Sequence, residues 1–191
     1  MIIKNNKFIY ILLILILFLI NSCNKKVKPD RAETKVLESI KNWEELSEKG
    51  YSIKYPESWI LDKTGKMGSS FILFSEKTSN KDKFRDNINL LVQEITDTNL
   101  DLEQFVSVLE KQIENTITKA DFIESRRIKE PNDEYHKLLY TGKQGIYNLK
   151  FEQHYRIKEG KIYILTFTCE KDEYQKYSEI GKKILASFKI E

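Results

Sequence analysis

The chain has 191 residues, a formal net charge of +3, and 32 basic against 29 acidic side chains. This balance lacks the basic excess of nucleic-acid-binding proteins, so we expect no nucleic acid as a partner. The length suits one folded domain with a single core.

The N-terminal residues have the pattern of a secretory signal. Lys4 and Lys7 precede thirteen residues, Phe8–Ile20, that contain no charge, glycine or proline. As a helix this run is roughly 20 Å long, short of the roughly 30 Å hydrocarbon core of a bilayer. It suits a removable signal better than a permanent anchor, and an uncleaved membrane helix is the alternative.

The apolar run ends in a motif that resembles the lipobox of bacterial lipoproteins. Ile20, Asn21 and Ser22 stand where that motif has a branched apolar, a variable and a small residue, and Cys23 follows. The resemblance implies that residues 1–22 are removed and that the Cys23 thiol is acylated. Two or three acyl chains, such as palmitate, would then hold the protein on a membrane.

Cysteine usage favours the same interpretation. The only other cysteine is Cys169, so a disulfide would have to tie the leader to the far end of the domain. Cys169 alternates with apolar residues in the segment YILTFTC, which predicts a buried, inert thiol.

Residues 23–42 are polar with scattered charges, and we interpret them as a lipid-attached flexible tether. Asn24 is not the aspartate that retains lipoproteins on the inner membrane in some bacteria. Lys25 and Lys26 are not the acidic cluster that other lineages use for surface export. These features favour the periplasmic face of an outer membrane, if the cell has one.

From residue 43 onward the hydrophobic period is mainly two, which predicts strands. Tyr51–Pro56 alternates and stops at a proline, which cannot donate to a ladder. Further strands are predicted at Trp59–Leu61, Ser70–Phe74 and Asn87–Ile95.

Two segments have the period of a helix instead. Asp101 is placed to cap the first, with Gln104 three residues further on. A closing helix is predicted over Glu173–Phe188. The apolar stripe of the first helix consists of Leu102, Phe105, Val106, Leu109 and Ile113.

Four strands are predicted between these helices, at Phe122–Lys129, Tyr135–Gly142, Ile146–Ile157 and Lys161–Glu170. The connections are short and of turn composition, so neighbouring strands should pair as antiparallel hairpins. The class is therefore α+β, an antiparallel sheet flanked by helices.

The third of these strands is predicted to have one dry face and one solvated face. Leu149, Phe151, Tyr155 and Ile157 alternate with Lys150, Glu152, His154 and Arg156.

The segment 50–59, GYSIKYPESW, is similar to the opening of PsbP-like and DcrB-like domains. Their first strand ends in an aromatic-Pro-x-x-Trp turn, here Tyr55 to Trp59. The order of elements matches as well, over a domain of residues 43–191. The resemblance implies an α/β/α sandwich in a small extracytoplasmic protein that is an accessory factor rather than a catalyst.

His136 and His154 are the only imidazoles, and both fall on predicted strands. If those strands are neighbours in register, the two histidines could bind a divalent metal with an oxygen of Glu152 or Glu134. The alternative is that both are solvated residues on a strand face, and no cofactor is expected.

The sequence offers little for catalysis, because no serine lies in a Gly-x-Ser-x-Gly elbow and glycine is too sparse for a phosphate-binding loop. We therefore expect a monomeric, membrane-anchored lipoprotein that acts as a non-catalytic binding or assembly factor at the cell envelope. Its partner is an envelope protein or a small ligand. A carrier of a small ligand or divalent metal is the alternative, and an unrecognised hydrolase is the third hypothesis.

Overall fold

The computed structural model describes residues 42–77, 84–95, 100–131 and 133–191. The predicted lipobox of Ile20, Asn21 and Ser22, together with Cys23, lies outside the described residues.

A small antiparallel sheet joins the two ends of the described chain. Its strands are β1 (Trp43–Glu48), β2 (Tyr51–Pro56) and β10 (Lys189–Ile190), in the order β1-β2-β10. The hydrophobic pattern predicts β2 but not β1, because in β1 only Leu46 is buried and the alternation is lost.

The main sheet has seven strands, and all neighbours are antiparallel. The four strands between Thr118 and Glu170 pair one after another as a continuous antiparallel meander, which confirms the predicted hairpins. The order across the sheet is β3-β4-β5-β9-β8-β7-β6. The strands are β3 (Ile60–Asp62), β4 (Phe71–Phe74), β5 (Asn87–Glu94), β6 (Thr118–Glu130), β7 (Asp133–Gln144), β8 (Tyr147–Lys158) and β9 (Lys161–Glu170).

The two predicted helices are α1 (Leu102–Thr116) and α2 (Tyr174–Ser187). Asp101 caps α1 as predicted, since its carboxylate accepts a hydrogen bond of 2.8 Å from the backbone N–H of Gln104. Within the described residues, no helix combines the length and the apolar character that crossing a membrane requires.

The helices cover opposite faces of the main sheet, which gives the α/β/α arrangement. The α1 stripe packs on one face with residues such as Leu138, Tyr140 and Ile164. The opposite face packs against α2 and the small sheet around Phe71, Leu165 and Phe167. Each large apolar side chain buried in this way stabilises the fold by about 1.5–3 kcal/mol relative to an exposed one.

The prediction that β8 has a solvated face is wrong. Glu152, His154 and Arg156 are only 3%, 5% and 4% exposed. They are covered because α2 and the C-terminal Phe188 pack over this face, where the Tyr174 hydroxyl reaches Glu152 and the Phe188 ring lies against Arg156.

Candidate functional site

The two histidines proposed as metal ligands lie on opposite faces of the main sheet. Along the paired strands β7 and β8, His136 stands opposite Tyr155, and His154 stands opposite Lys137. Because side chains alternate along a strand, His136 faces α1 and His154 faces α2.

The predicted shared metal site is therefore not formed. Glu134, one of its expected oxygen ligands, accepts a hydrogen bond of 2.7 Å from Arg127 instead. Among the residues that the structure describes, no group of three or more His, Cys, Asp or Glu side chains is placed to hold a metal ion.

His136 is part of an arrangement that resembles a hydrolytic triad. Its Nε2 lies 2.8 Å from the Ser125 hydroxyl, and its Nδ1 lies 3.8 Å from a Glu103 carboxylate oxygen. However, the Ser125 hydroxyl donates to Glu110 at 2.6 Å, so His136 is not the acceptor of the serine proton. A distance of 3.8 Å is also too long for the hydrogen bond that orients a catalytic base.

These contacts tie α1 to the strands β6 and β7 and do not form a nucleophile with its base. Neither Ser125 nor His136 lines the cleft described below.

His154 belongs to a buried polar cluster on the α2 face. The Glu152 carboxylate accepts hydrogen bonds of 3.1 Å from His154 Nε2 and 3.1 Å from the Tyr174 hydroxyl. The Lys137 ammonium lies 3.6 Å from the same carboxylate. The ring of Tyr135 stacks on His154 with centroids 4.5 Å apart.

The environment fixes the charge states in this cluster. Burial raises the pKa of Glu152, but the hydrogen bond from His154 and the charge of Lys137 outweigh it, so the pKa lies below its ordinary value. Burial lowers the pKa of His154 and outweighs the opposing effect of Glu152. At pH 7 the pair is therefore a carboxylate beside a neutral imidazole.

A cleft opens beside α1 on the other face of the main sheet. The helix lies mainly over β6, β7 and β8, and the cleft extends from there across β9, β5 and β4. Its volume is ≈ 790 Å³, within the roughly 300–1,000 Å³ typical of small-molecule sites.

The floor of the cleft is a row of polar side chains on three neighbouring strands. In the ladder, Asn89 stands opposite Thr166, and Thr166 stands opposite Gln153. Gln153 Nε2 donates a hydrogen bond of 3.1 Å to the Thr166 hydroxyl, and the Tyr155 hydroxyl donates to Gln153 Oε1.

Asn89 is the exception in this row. It is only 4% exposed, and its Oδ1 has no hydrogen-bond partner among the described residues. A buried acceptor left without a donor costs about 1–3 kcal/mol. A ligand that donates a hydrogen bond to Asn89 would therefore be favoured.

The walls of the cleft are largely apolar, and the sequence patterns do not predict them as a site. One sequence feature does point to the cleft: Thr166 and Thr168 stand at alternate positions of a largely apolar strand and therefore face the same side of the sheet. The main wall residues are Ile72, Phe74, Phe84, Leu109, Ile113 and Ile164.

An antiparallel sheet held between α1 on one face and α2 on the other is the architecture that the sequence predicts. The family model of PsbP matches residues 41–190. The chain therefore belongs to the PsbP family, as the segment 50–59 and the order of elements predict.

Solved structures with the same fold come from several bacteria. Cyanobacterial PsbP (CyanoP) from Synechocystis has a TM-score of 0.56 and 16% identity, over 78% of this chain and 92% of that one. LpqN, involved in cell envelope biogenesis of Mycobacterium tuberculosis, has a TM-score of 0.58 and 10% identity, over 78% and 91%. A protein of unknown function from Pseudomonas aeruginosa has a TM-score of 0.53 and 10% identity, over 70% and 87%.

No curated protein matches the sequence significantly. At these identities the solved structures establish the fold alone.

Proposed function

We propose that this chain is a lipid-anchored, non-catalytic accessory protein of the cell envelope that binds its ligand or partner through the cleft beside α1. The cleft is the observation that carries the proposal. It has the volume of a ligand site, apolar walls and a polar floor with an unpaired acceptor on Asn89.

The composition of the cleft supports binding rather than catalysis. Among its described lining residues there is no Asp, Glu, His, Ser or Cys, the residue types that usually serve as general acids, bases and nucleophiles. The triad-like set around His136 lies elsewhere and has its serine proton directed to Glu110.

The location at the envelope rests on the N-terminal sequence. The run Phe8–Ile20 and the lipobox of Ile20, Asn21 and Ser22 before Cys23 direct export and acylation. LpqN, which shares the fold, is described as involved in cell envelope biogenesis. We place this protein on the periplasmic face of an outer membrane, where the cell has one.

Mass spectrometry of the chain isolated from its native membrane tests the anchor. We expect an N-terminal peptide that begins at acylated Cys23, and we expect Cys23→Ser to carry no acyl group and to leave the membrane fraction. A native chain that begins at Met1 without acyl mass would overturn the anchor.

Crosslinking in living cells tests the cleft. A photoreactive amino acid at Gln112, which lines the cleft from α1, should give a specific adduct. The matched control is the same substitution at Glu114, which is exposed on the same helix. Equal adducts at both positions, or none at Gln112, would contradict binding through the cleft.

A further inference from the structure

The hydrogen bonds on the floor of the cleft form a chain with one direction. The Tyr155 hydroxyl donates to Gln153 Oε1, and Gln153 Nε2 donates to the Thr166 hydroxyl at 3.1 Å. A hydroxyl that accepts one bond still has its own proton to donate. The chain therefore runs from β8 to β9 and ends on the Thr166 proton.

The next residue in this row, Asn89, has an unused acceptor. Asn89 stands opposite Thr166 in the ladder. Its side chain is 4% exposed, and its Oδ1 has no hydrogen-bond partner among the described residues. Facing residues on one side of a sheet have Cβ atoms about 4.5–5.5 Å apart. Since the terminal amide of asparagine turns readily about χ2, one polar atom between the two side chains is within hydrogen-bonding reach of both.

A group that joins Thr166 to Asn89 has to accept one hydrogen bond and donate another. A hydroxyl does both with a single oxygen atom, whereas an ether only accepts and an ammonium only donates. A water molecule has the same capacity as a hydroxyl, so the rest of the cleft determines what carries the oxygen.

The cleft offers no counterion to a charged ligand. Among its described lining residues, the only charged side chains are Lys66 and Lys143. Lys66 pairs with Asp62 at 2.6 Å. Lys143 lies three residues beyond Tyr140, which packs on the α1 face, so the alternation along β7 directs the Lys143 side chain to the α2 face. An ionised group bound here would lose its hydration without gaining a partner, and the ligand is therefore uncharged.

The surfaces around the pair of Thr166 and Asn89 are apolar. Ile72 stands opposite Asn89 on β4, and Ile164 lies on the same face of β9 two residues before Thr166. Met67, at 36% exposed, also lines the cleft, and its flexible thioether adapts to the shape of a bound molecule. These side chains favour an apolar body attached to the hydroxyl over a water molecule.

We propose that the cleft binds an uncharged apolar alcohol or phenol. Its hydroxyl accepts the Thr166 proton and donates to Asn89 Oδ1, and its apolar body lies along the walls. This inference rests on the proposed function, because it names the class of ligand that occupies the same cleft.

Photolabelling of the full chain with phosphatidylcholine nanodiscs tests the class of ligand. Three probes share a benzene ring with a diazirine-bearing octyl chain, and they differ only in the para group, which is a hydroxyl, a methoxy group or a carboxylate. Labelled peptides are identified by mass spectrometry, and labelling of the nanodisc scaffold corrects for the amount of each probe in the membrane.

The phenol should label peptides that contain Met67 or Ile113 most strongly. We expect about fivefold more label than from the methyl ether, the size of one hydrogen bond. The carboxylate should give roughly tenfold less label than the phenol or weaker still, because it loses its hydration in the cleft.

Two variants assign the hydroxyl to its partners. Thr166→Val keeps the shape of the side chain without its hydroxyl, and Asn89→Leu conserves the volume without the acceptor. In each variant the ratio of phenol to ether labelling should fall from about five to about one. A loss of stability that lowers both labels leaves this ratio unchanged.

Thr141→Val is the matched control. Thr141 and Thr166 are both 7% exposed, but Thr141 follows Tyr140 on β7 and so faces α2. The ratio should keep its wild-type value in this variant.

Equal labelling of the wild type by phenol and ether would overturn the requirement for a hydroxyl, and carboxylate labelling as strong as that of the phenol would overturn the requirement for an uncharged ligand. Absence of label from the cleft peptides, or a ratio that persists in both Thr166→Val and Asn89→Leu, would overturn the proposal as a whole. Acyl mass on Cys23 and the crosslink at Gln112 are read separately, so a failure of this inference alone leaves the proposed function standing.

Discussion

Gly181 of α2 lies directly against the ring of Phe167 on β9. A Cβ added at Gly181 would come within 2.5 Å of Phe167 Cε1, and Phe167 is fully buried. The absence of a side chain at this one position lets the helix approach the sheet, so that Ile180 and Ile184 reach the core.

Gly181→Ala should therefore destabilise the protein. The change gains about 1 kcal/mol of helix propensity, but overpacking a tight core costs about 1–3 kcal/mol, and the contact at Phe167 has no free space. Because the gain and the cost partly offset each other, we expect the free energy of unfolding, measured with urea, to fall by up to about 2 kcal/mol.

The control is Lys182→Ala, the exposed neighbour on the same helix, which should change stability by less than about 0.5 kcal/mol. Phe167→Leu should be less harmful in the Gly181→Ala background than in the wild type, because it opens space for the methyl group. A stabilised Gly181→Ala would contradict the close contact.

Arg156 is a buried cation whose guanidinium contacts one carboxylate and two aromatic rings. It pairs with Asp133 through bonds of 2.9 Å and 2.7 Å, and it lies over the rings of Tyr135 and Phe188 at 4.4 Å and 5.4 Å. Lysine cannot reproduce the paired bonds or the stacking. We expect Arg156→Lys to cost about 1–2 kcal/mol of unfolding free energy by urea titration.

Arg126→Lys is the matched control, because Arg126 is exposed and pairs with Glu124 in solvent. It should leave the unfolding midpoint unchanged. If the two substitutions have equal effects, the burial of Arg156 does not contribute to stability.

The pair of Glu152 and His154 predicts a loss of stability in acid. Burial lowers the folded-state pKa of His154 below its ordinary 6.5, so the unfolded chain takes up the proton first as the pH falls. The free energy of unfolding should therefore decrease below about pH 6.5. The depressed pKa of Glu152 adds a further decrease below its ordinary value of 4.5.

Urea titrations at pH 8, 6 and 5 measure this dependence. In His154→Gln the decline between pH 7 and pH 5 should be shallower than in the wild type, because the titrating group is gone. An identical decline in the variant would show that His154 does not titrate differently in the folded and unfolded states.

Cys169 should be inert in the folded protein. The side chain is fully buried, and burial raises the pKa of its thiol, so thiolate is scarce at neutral pH. We expect iodoacetamide to leave Cys169 unmodified in the native state and to alkylate it in urea, as read by peptide mass spectrometry. Rapid alkylation of the native chain would place the thiol at the surface.

Local sequence patterns predict those helices and strands that are determined by the residues of their own segment. The α1 stripe and the Asp101 cap are set by spacing within one segment, and both are confirmed. The sequence does not predict β1, because β1 is stabilised by its pairing with β2. Since Leu46 is its one buried residue, the segment has little hydrophobic periodicity.

The cleft and the buried charges depend on contacts between distant segments. Asn89, Thr166 and Gln153 form a row only because the register of three strands aligns them. Arg156 is buried because Phe188, far along the chain, packs over it. No pattern within one strand contains this information, so the alternation in β8 predicts a solvated face that the structure buries.

The opposite placement of His136 and His154 predicts how the protein meets divalent metals. A site shared by the two imidazoles would lose its affinity when either one is removed, because two ligands from one site act together. Since the sheet separates them, we expect equilibrium dialysis with zinc or manganese to give the same binding in the wild type, His136→Ala, His154→Ala and the double variant. Binding that is abolished by each single substitution would require the two side chains to face the same ion, which the register of β7 and β8 does not permit.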